Sequence, residues 1–179
     1  MARYAAFLRG INLASRNRIS SDELRKIFEG MGLEDVAPFR TSGNVVFAGP
    51  KGATAKLGER ISREIEATVD FEVITFVRTE RELVTMAEHQ PFPPALLKSR
   101  GKLQVVLMAK KPSAAIRDKA LALASNDDRL AFEGRELYWL PRGGTRESAL
   151  DKRELDELLR PMTQRTKGTI EEIARKFFA

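Results

Sequence analysis

Val36-Ala37-Pro38-Phe39-Arg40-Thr41-Ser42-Gly43-Asn44-Val45-Val46-Phe47 decides the fold. Val36 to Arg40 and Val45 to Phe47 are β-type runs. Thr41 to Asn44 between them supplies a glycine and an asparagine, the two residues that best tolerate the positive φ of a tight hairpin. Pro38 has no N–H to give a ladder, so the first run is expected at a sheet edge. Upstream, Tyr4 to Arg9 reads as a strand that ends in a polar loop, Gly10 to Ile19. Ser20-Ser21-Asp22-Glu23 then has the spacing of a capping box, and Leu24, Ile27, Phe28 and Met31 fall at i, i+3, i+4 and i+7 on one helical stripe. Gly30 and Gly32 punctuate its end. Downstream, Gly49-Pro50-Lys51-Gly52 breaks the chain, Leu57, Ile61, Ile65 and Val69 mark a second amphipathic helix, and Glu72 to Arg78 alternates as a strand. The order β-α-β-β-α-β predicts a ferredoxin-like antiparallel sheet with both helices on one face.

Thr79 and Glu82 frame another capping box for a short helix that runs to about Glu88. Gln90-Pro91-Phe92-Pro93-Pro94 cannot continue a helix, which predicts a boundary there: a first domain over 1–89 and a second, smaller α+β domain over 90–179. The second half opens with Leu103 to Ala109, apolar enough for a central strand, then a helix carrying Ile116, Ala120 and Leu123. Arg129 to Glu133 and Glu136 to Leu140 form a hairpin around Gly134-Arg135. Pro141 to Glu147 is read as a loop. Two helices follow, near Asp151 to Leu159 and from about Gly168, the last with Ile170, Ile173, Ala174, Phe177 and Phe178 on one face. The βαββ order echoes the first half in topology, with no residue repeat. The whole is an α+β chain.

Phe7-Leu8-Arg9-Gly10-Ile11-Asn12 and Thr41-Ser42-Gly43-Asn44-Val45-Val46-Phe47 together resemble the DUF1697 family of bacterial proteins of unknown function. In that family an aliphatic strand ends in Arg-Gly-Ile-Asn and a Ser-Gly-Asn-Val hairpin follows a capped helix. Two positions depart from its pattern: Ala14-Ser15 stands where a glycine pair is usual, and Arg165-Thr166-Lys167 where an Arg-Asn-Trp cluster is usual. The resemblance implies an α+β fold with a ferredoxin-like first half, and it implies no established reaction.

Composition narrows the functional classes. The chain has 179 residues with no cysteine and one histidine, His89. Disulfides, thiol nucleophiles and thiolate metal sites are excluded, and no histidine cluster can form, so no metal or cofactor is expected. Apolar runs are too short to span a bilayer and the N-terminus lacks a signal-peptide core, which points to a cytoplasmic protein with no membrane partner. The net charge of +6 lies entirely in the second half: residues 1–90 hold 13 basic and 13 acidic side chains, residues 91–179 hold 18 and 12. Such a balance suits an anionic partner, a small molecule or nucleic acid, and equally a merely soluble surface. Oligomeric state is not legible.

Arg9, Asn12, Arg16, Asn17 and Arg18 form a loop with no acidic residue, placed between a strand and a helix start, where amides and guanidinium forks can hold a phosphate or carboxylate. Arg9 is expected to face a cleft shared with this loop. The alternative is that the asparagines close turns and the arginines are solvated. Ser42 and Asn44 read first as turn residues, and as added hydrogen-bonding groups if the hairpin meets the loop. Arg142-Gly143-Gly144-Thr145 superficially resembles an anion cradle but lacks the spacing of a phosphate-binding fingerprint. Arg165, Lys167 and Thr169 precede the last helix, where basic residues oppose its dipole. His89 is read as a packing or capping residue. The leading reading is an anion-binding protein. An enzyme acting on a phosphorylated substrate through arginine electrostatics, and a structural or interaction module, stay open.

Overall fold

The computed structural model describes all of residues 1–179. The chain divides into two compact units, one of Met1–Met86 with Ile173–Ala179 and one of Ala87–Glu172.

In the first unit, β1 (Ala2–Arg9), α1 (Ser21–Gly30), β2 (Glu34–Phe39), β3 (Asn44–Gly49), α2 (Thr54–Glu66) and β4 (Ile74–Thr79) follow the βαββαβ order. They form one sheet in the order β2-β3-β1-β4. Every pair is antiparallel, with Phe7 opposite Asn44 of β3 and Phe76 of β4. The hairpin pairs Pro38 with Val45 and Phe39 with Asn44, so Pro38 sits on an edge strand as its missing donor requires. The pleat sends Tyr4, Ala6 and Leu8 to one face, where they pack with Leu24 and Phe28 of α1 and Ile61 and Ile65 of α2. A stacked Tyr4–Phe47 pair and an edge-on Phe28–Phe47 pair, centroids 5.5 and 5.4 Å apart, fix the middle of this core. The capping box at α1 is formed: Glu23 N–H donates to Ser20 Oγ (3.1 Å), and Ser20 N–H to the Glu23 carboxylate (2.7 Å). Thr79 and Glu82 make the same reciprocal pair at α3 (Glu80–Glu88).

The second unit repeats the scheme. After a short helix α4 (Pro94–Lys98), β5 (Gln104–Met108), α5 (Ala114–Leu121), β6 (Asp128–Glu133), β7 (Glu136–Pro141), α6 (Lys152–Leu159) and β8 (Met162–Thr166) again run βαββαβ. The sheet order, β6-β7-β5-β8, matches that of the first unit position by position. Val106, Met108, Leu137 and Trp139 pack on Ala120 of α5 and Leu155 and Leu159 of α6. Tyr138 and Trp139, on opposite faces of β7, are both buried.

Two elements differ from the sequence reading. The second half is βαββαβ rather than βαββ followed by helices only, because Met162-Thr163-Gln164-Arg165-Thr166 is a strand paired with β5. Its polar composition hides it: Thr163 and Arg165 are the buried members of the alternation. The helix α7 (Lys167–Phe177) follows directly, and its last turns count with the first unit, not the second. The short helix α4 begins at Pro94, inside the proline-rich segment that the sequence marks as a break, because proline is tolerated in a first helical turn.

Candidate functional site

The loop between β1 and α1 is organised by its two asparagines. Asn12 and Asn17 both take the left-handed conformation (φ 48° and 57°), which asparagine accepts more readily than most residues. The Asn12 N–H donates to Asn17 O at 2.8 Å, and Asn17 Nδ2 donates to Gly10 O at 2.9 Å, closing the loop on itself. Asn12 then ties the loop outward. Its Nδ2 donates to Ile19 O (3.0 Å) and Thr41 O (2.8 Å), and its Oδ1 accepts from Ile19 N–H (2.9 Å). The hairpin turn and the loop therefore meet, which sequence order alone does not establish. Gly43 completes the contact: its carbonyl accepts from Leu8 N–H at 2.8 Å. At φ 92°, a Cβ there would lie 2.8 Å from Ile11 Cδ1.

A cleft of about 420 Å³ opens where these pieces meet, lined by Asn12, Arg18, Ile19, Ser20, Ser21, Glu23, Leu24, Arg40 and Thr41. Arg18 reaches back to Ala14 O, and Arg40 is held over the Phe39 ring with its guanidinium carbon 5.3 Å from the centroid. Both guanidinium-bearing residues are exposed, as are Ser20, Ser21 and Thr41. At the helix start, the capping box occupies the amides of Ser20 and Glu23, and Leu24 N–H donates to Ser20 O. The amides of Ser21 and Asp22 have no intrahelical carbonyl within reach. Two arginines against one carboxylate, Glu23, leave the lining net positive.

Of the residues expected from sequence, Asn12 and Arg18 line this cleft. Arg9 does not: it ends β1 opposite Ile74 of β4. Arg16 is exposed and joins Leu13 in a small bridge that turns the loop tip. Asn17 closes the loop, and Asn44 is buried, donating to Phe39 O (2.8 Å) and Ser42 Oγ (3.1 Å) as the turn reading requires. Arg40 and Thr41 also line the cleft, with no charge or turn pattern in the sequence that marks them as site residues. They flank the Ser42-Gly43-Asn44 turn, and Arg40 takes a positive φ of 62°, a conformation no arginine adopts by preference.

The remaining candidates belong to the second unit. Arg142 is exposed and pairs with Asp127 at 2.8 Å. The backbone of its glycine loop is held by Gly101, whose N–H donates to Pro141 O at 3.0 Å. Arg165 is buried, and its Nη1 donates to Thr163 Oγ1 (2.9 Å) and Gln164 O (2.8 Å). Burial pushes its guanidinium down to about 10, which leaves it charged at neutral pH. Lys167 is buried as well, donating to Ala87 O (2.9 Å) and facing Glu171 (3.4 Å), so its charge is answered from within. Thr166 and Thr169 bond each other at 2.9 Å at the start of α7. His89 packs its ring 4.9 Å from that of Tyr138. Arg100 Nη1 is a buried side-chain nitrogen without a hydrogen-bond partner. No group of three His, Cys, Asp or Glu side chains has metal-binding geometry, and no helix is long and apolar enough to cross a membrane.

The DUF1697 family, described as proteins of unknown function, matches residues 1–138, a span that holds the loop, the hairpin and every residue of the cleft. The chain belongs to the DUF1697 family. Among solved structures, the conserved bacterial protein SP0830 from Streptococcus pneumoniae is similar at a TM-score of 0.70 and 20% identity, with 97% of each chain covered. At that identity the likeness speaks for the α+β fold. No curated protein matches this DUF1697 sequence.

Proposed function

We propose that this DUF1697 protein binds a phosphate- or carboxylate-bearing ligand in the cleft between the β1–α1 loop, the first turn of α1 and Arg40-Thr41. The observation that carries the reading is the convergence of Arg18 and Arg40 with the hydroxyls of Ser20, Ser21 and Thr41 around one opening. Guanidinium forks supply charge and paired donors, and hydroxyls supply neutral ones, which is how proteins hold oxyanions. Asn12 is the positioning residue, since it fastens both walls. An enzyme hydrolysing a phosphorylated substrate through arginine electrostatics is helped by a general base that takes the proton of the attacking water. The cleft's one carboxylate, Glu23, is engaged in capping Ser20, so binding is the better-supported activity. We read the two units as a duplicated pair of ferredoxin-like domains, supported by their identical strand orders.

Titration with inorganic pyrophosphate, followed by calorimetry, tests the site. Losing one charge-assisted contact weakens binding by roughly 10- to 100-fold, from about 1.5–3 kcal/mol per such hydrogen bond. Arg18→Gln and Arg40→Gln should each show a loss of that order, and Arg142→Gln should show none. Unchanged affinity in both cleft variants rejects the site.

A further inference from the structure

The second sheet ends on β6, a strand hydrogen-bonded to β7 alone. Its Glu133 faces Glu136 across the two-residue turn Gly134-Arg135, and the pair that closes such a turn is hydrogen-bonded. Alternation then directs the N–H and C=O of Arg129, Ala131 and Glu133 at β7, and those of Asp128, Leu130 and Phe132 away from it. Asp128 uses both on Ser125: its carbonyl accepts from Ser125 N–H at 3.0 Å, and its amide donates to Ser125 Oγ at 3.1 Å. Leu130 and Phe132 have no partner in the chain for theirs. Their side chains pack on the core on one face of the sheet, whereas Arg129 and Glu133 stand exposed on the other and neither forms an ion pair. Edge strands are commonly blunted by proline or a bulge. The β2 edge has both, Pro38 and a register shift between Glu34 and Ala37; β6 has neither.

We propose that β6 is a self-association surface whose occupant is β6 of a second copy of this chain, paired antiparallel about a twofold axis at Ala131. In this register Leu130 of each copy lies opposite Phe132 of the other, and their outward groups exchange four backbone hydrogen bonds. Charge selects the register. Arg129 falls opposite Glu133 of the second copy, twice by symmetry, at the non-hydrogen-bonded positions where side chains come closest. Moving the axis to Leu130 sets Glu133 against Asp127, and moving it to Phe132 sets Arg129 against Arg135, so both neighbouring registers oppose like charges. The other edges lack this self-complementarity: β4 and β8 each carry one arginine and no acidic residue, and β2 carries two acidic residues and no basic one. On the opposite face the Leu130–Phe132 pairs continue the apolar layer across the join. The product is one continuous antiparallel sheet of two four-stranded halves, β8-β5-β7-β6 followed by the same order reversed. Only residues of the second unit take part, and the proposal does not depend on the anion-binding reading.

Sedimentation velocity of the full chain, from low to high micromolar concentration, tests the pairing with wild type, Arg129→Glu and Glu133→Arg. Both positions are exposed, and circular dichroism verifies that each variant is folded. Wild type should pass from monomer to dimer as concentration rises. Each variant alone opposes like charges at both ends of the join, so its association should weaken by roughly tenfold or more. Mixed in equal amounts, the two variants restore both opposite-charge pairs and should form a heterodimer about as tightly as wild type pairs with itself. That rescue separates a contact between copies from a role within one chain, which mixing would not repair. Wild type that stays monomeric throughout, or a dimer that both variants leave intact, overturns the proposal. Weakened variants whose mixture stays monomeric overturn it as well, because the two charges then do not face each other.

Discussion

Replacing Asn12 by alanine removes the pin that holds the β1–α1 loop to the hairpin, and the cost can be worked from its bonds. Three hydrogen bonds of 2.8–3.0 Å vanish, two to the Ile19 backbone and one to Thr41 O. At about 0.5–1.5 kcal/mol net for each, their sum is roughly 1.5–4.5 kcal/mol. The Thr41 carbonyl is reached by water, which draws its share toward the low end, while buried Ile19 keeps the other two expensive to lose. Alanine must also hold the left-handed φ of 48°, adding about 1 kcal/mol that asparagine largely avoids. The expected destabilisation is about 2.5–5.5 kcal/mol, a melting-temperature drop of roughly 5–20 °C for a chain of this length. Asn12→Gly loses the same bonds without the backbone cost and should recover about 1 kcal/mol of the deficit. Asn12→Asp places a carboxylate against two carbonyls and should fall at least as far as alanine. Urea unfolding followed by far-UV circular dichroism reads the loss, and the fluorescence of Trp139, the one tryptophan, tracks the second unit separately. An alanine variant within about 0.5 kcal/mol of wild type, the scatter of ordinary surface substitutions, refutes the assignment of Asn12 as the fastening residue.

Gly58→Ala in α2 should destabilise although alanine is the better helix former. A Cβ there falls 2.7 Å from the Thr75 carbonyl, and forcing helix and strand apart costs about 1–3 kcal/mol against a propensity gain near 1 kcal/mol; a raised melting temperature would contradict that close approach. In the second unit, buried Asp128 accepts from Trp139 Nε1 (2.8 Å) and Ser148 Oγ (2.6 Å) through the same oxygen. Asp128→Asn can keep both bonds, whereas Asp128→Ala strands the indole N–H at a cost of about 2–4 kcal/mol and should shift Trp139 emission. Equal stability of the two variants would sink the network.

Local signals carried most of the first unit. The Ser20-to-Glu23 and Thr79-to-Glu82 capping spacings each became a reciprocal pair of hydrogen bonds, because a cap is a contact between residues three apart and needs no tertiary partner. Pro38 marked the edge for an equally local reason. β8 failed the same approach: Thr163, Gln164, Arg165 and Thr166 carry no apolar alternation, and only pairing with β5 makes them a strand. The cleft was half legible, Asn12 and Arg18 through the charge and turn chemistry of their loop. Arg40 and Thr41 were not, since an arginine beside a hairpin turn is unremarkable until one knows what the turn faces.

The sequence by itself determined the order and type of the elements in the first unit, the hairpin, the caps and the absence of thiol chemistry, all properties of neighbours along the chain or of composition. The tertiary structure alone decided that two βαββαβ sheets share one strand order, that loop and hairpin are pinned together by one asparagine amide, and that Arg40 rather than Arg9 joins Arg18. Those facts rest on pairings between residues tens of positions apart, where the geometry of hydrogen bonds across a sheet, not the pattern of any one segment, selects which side chains meet.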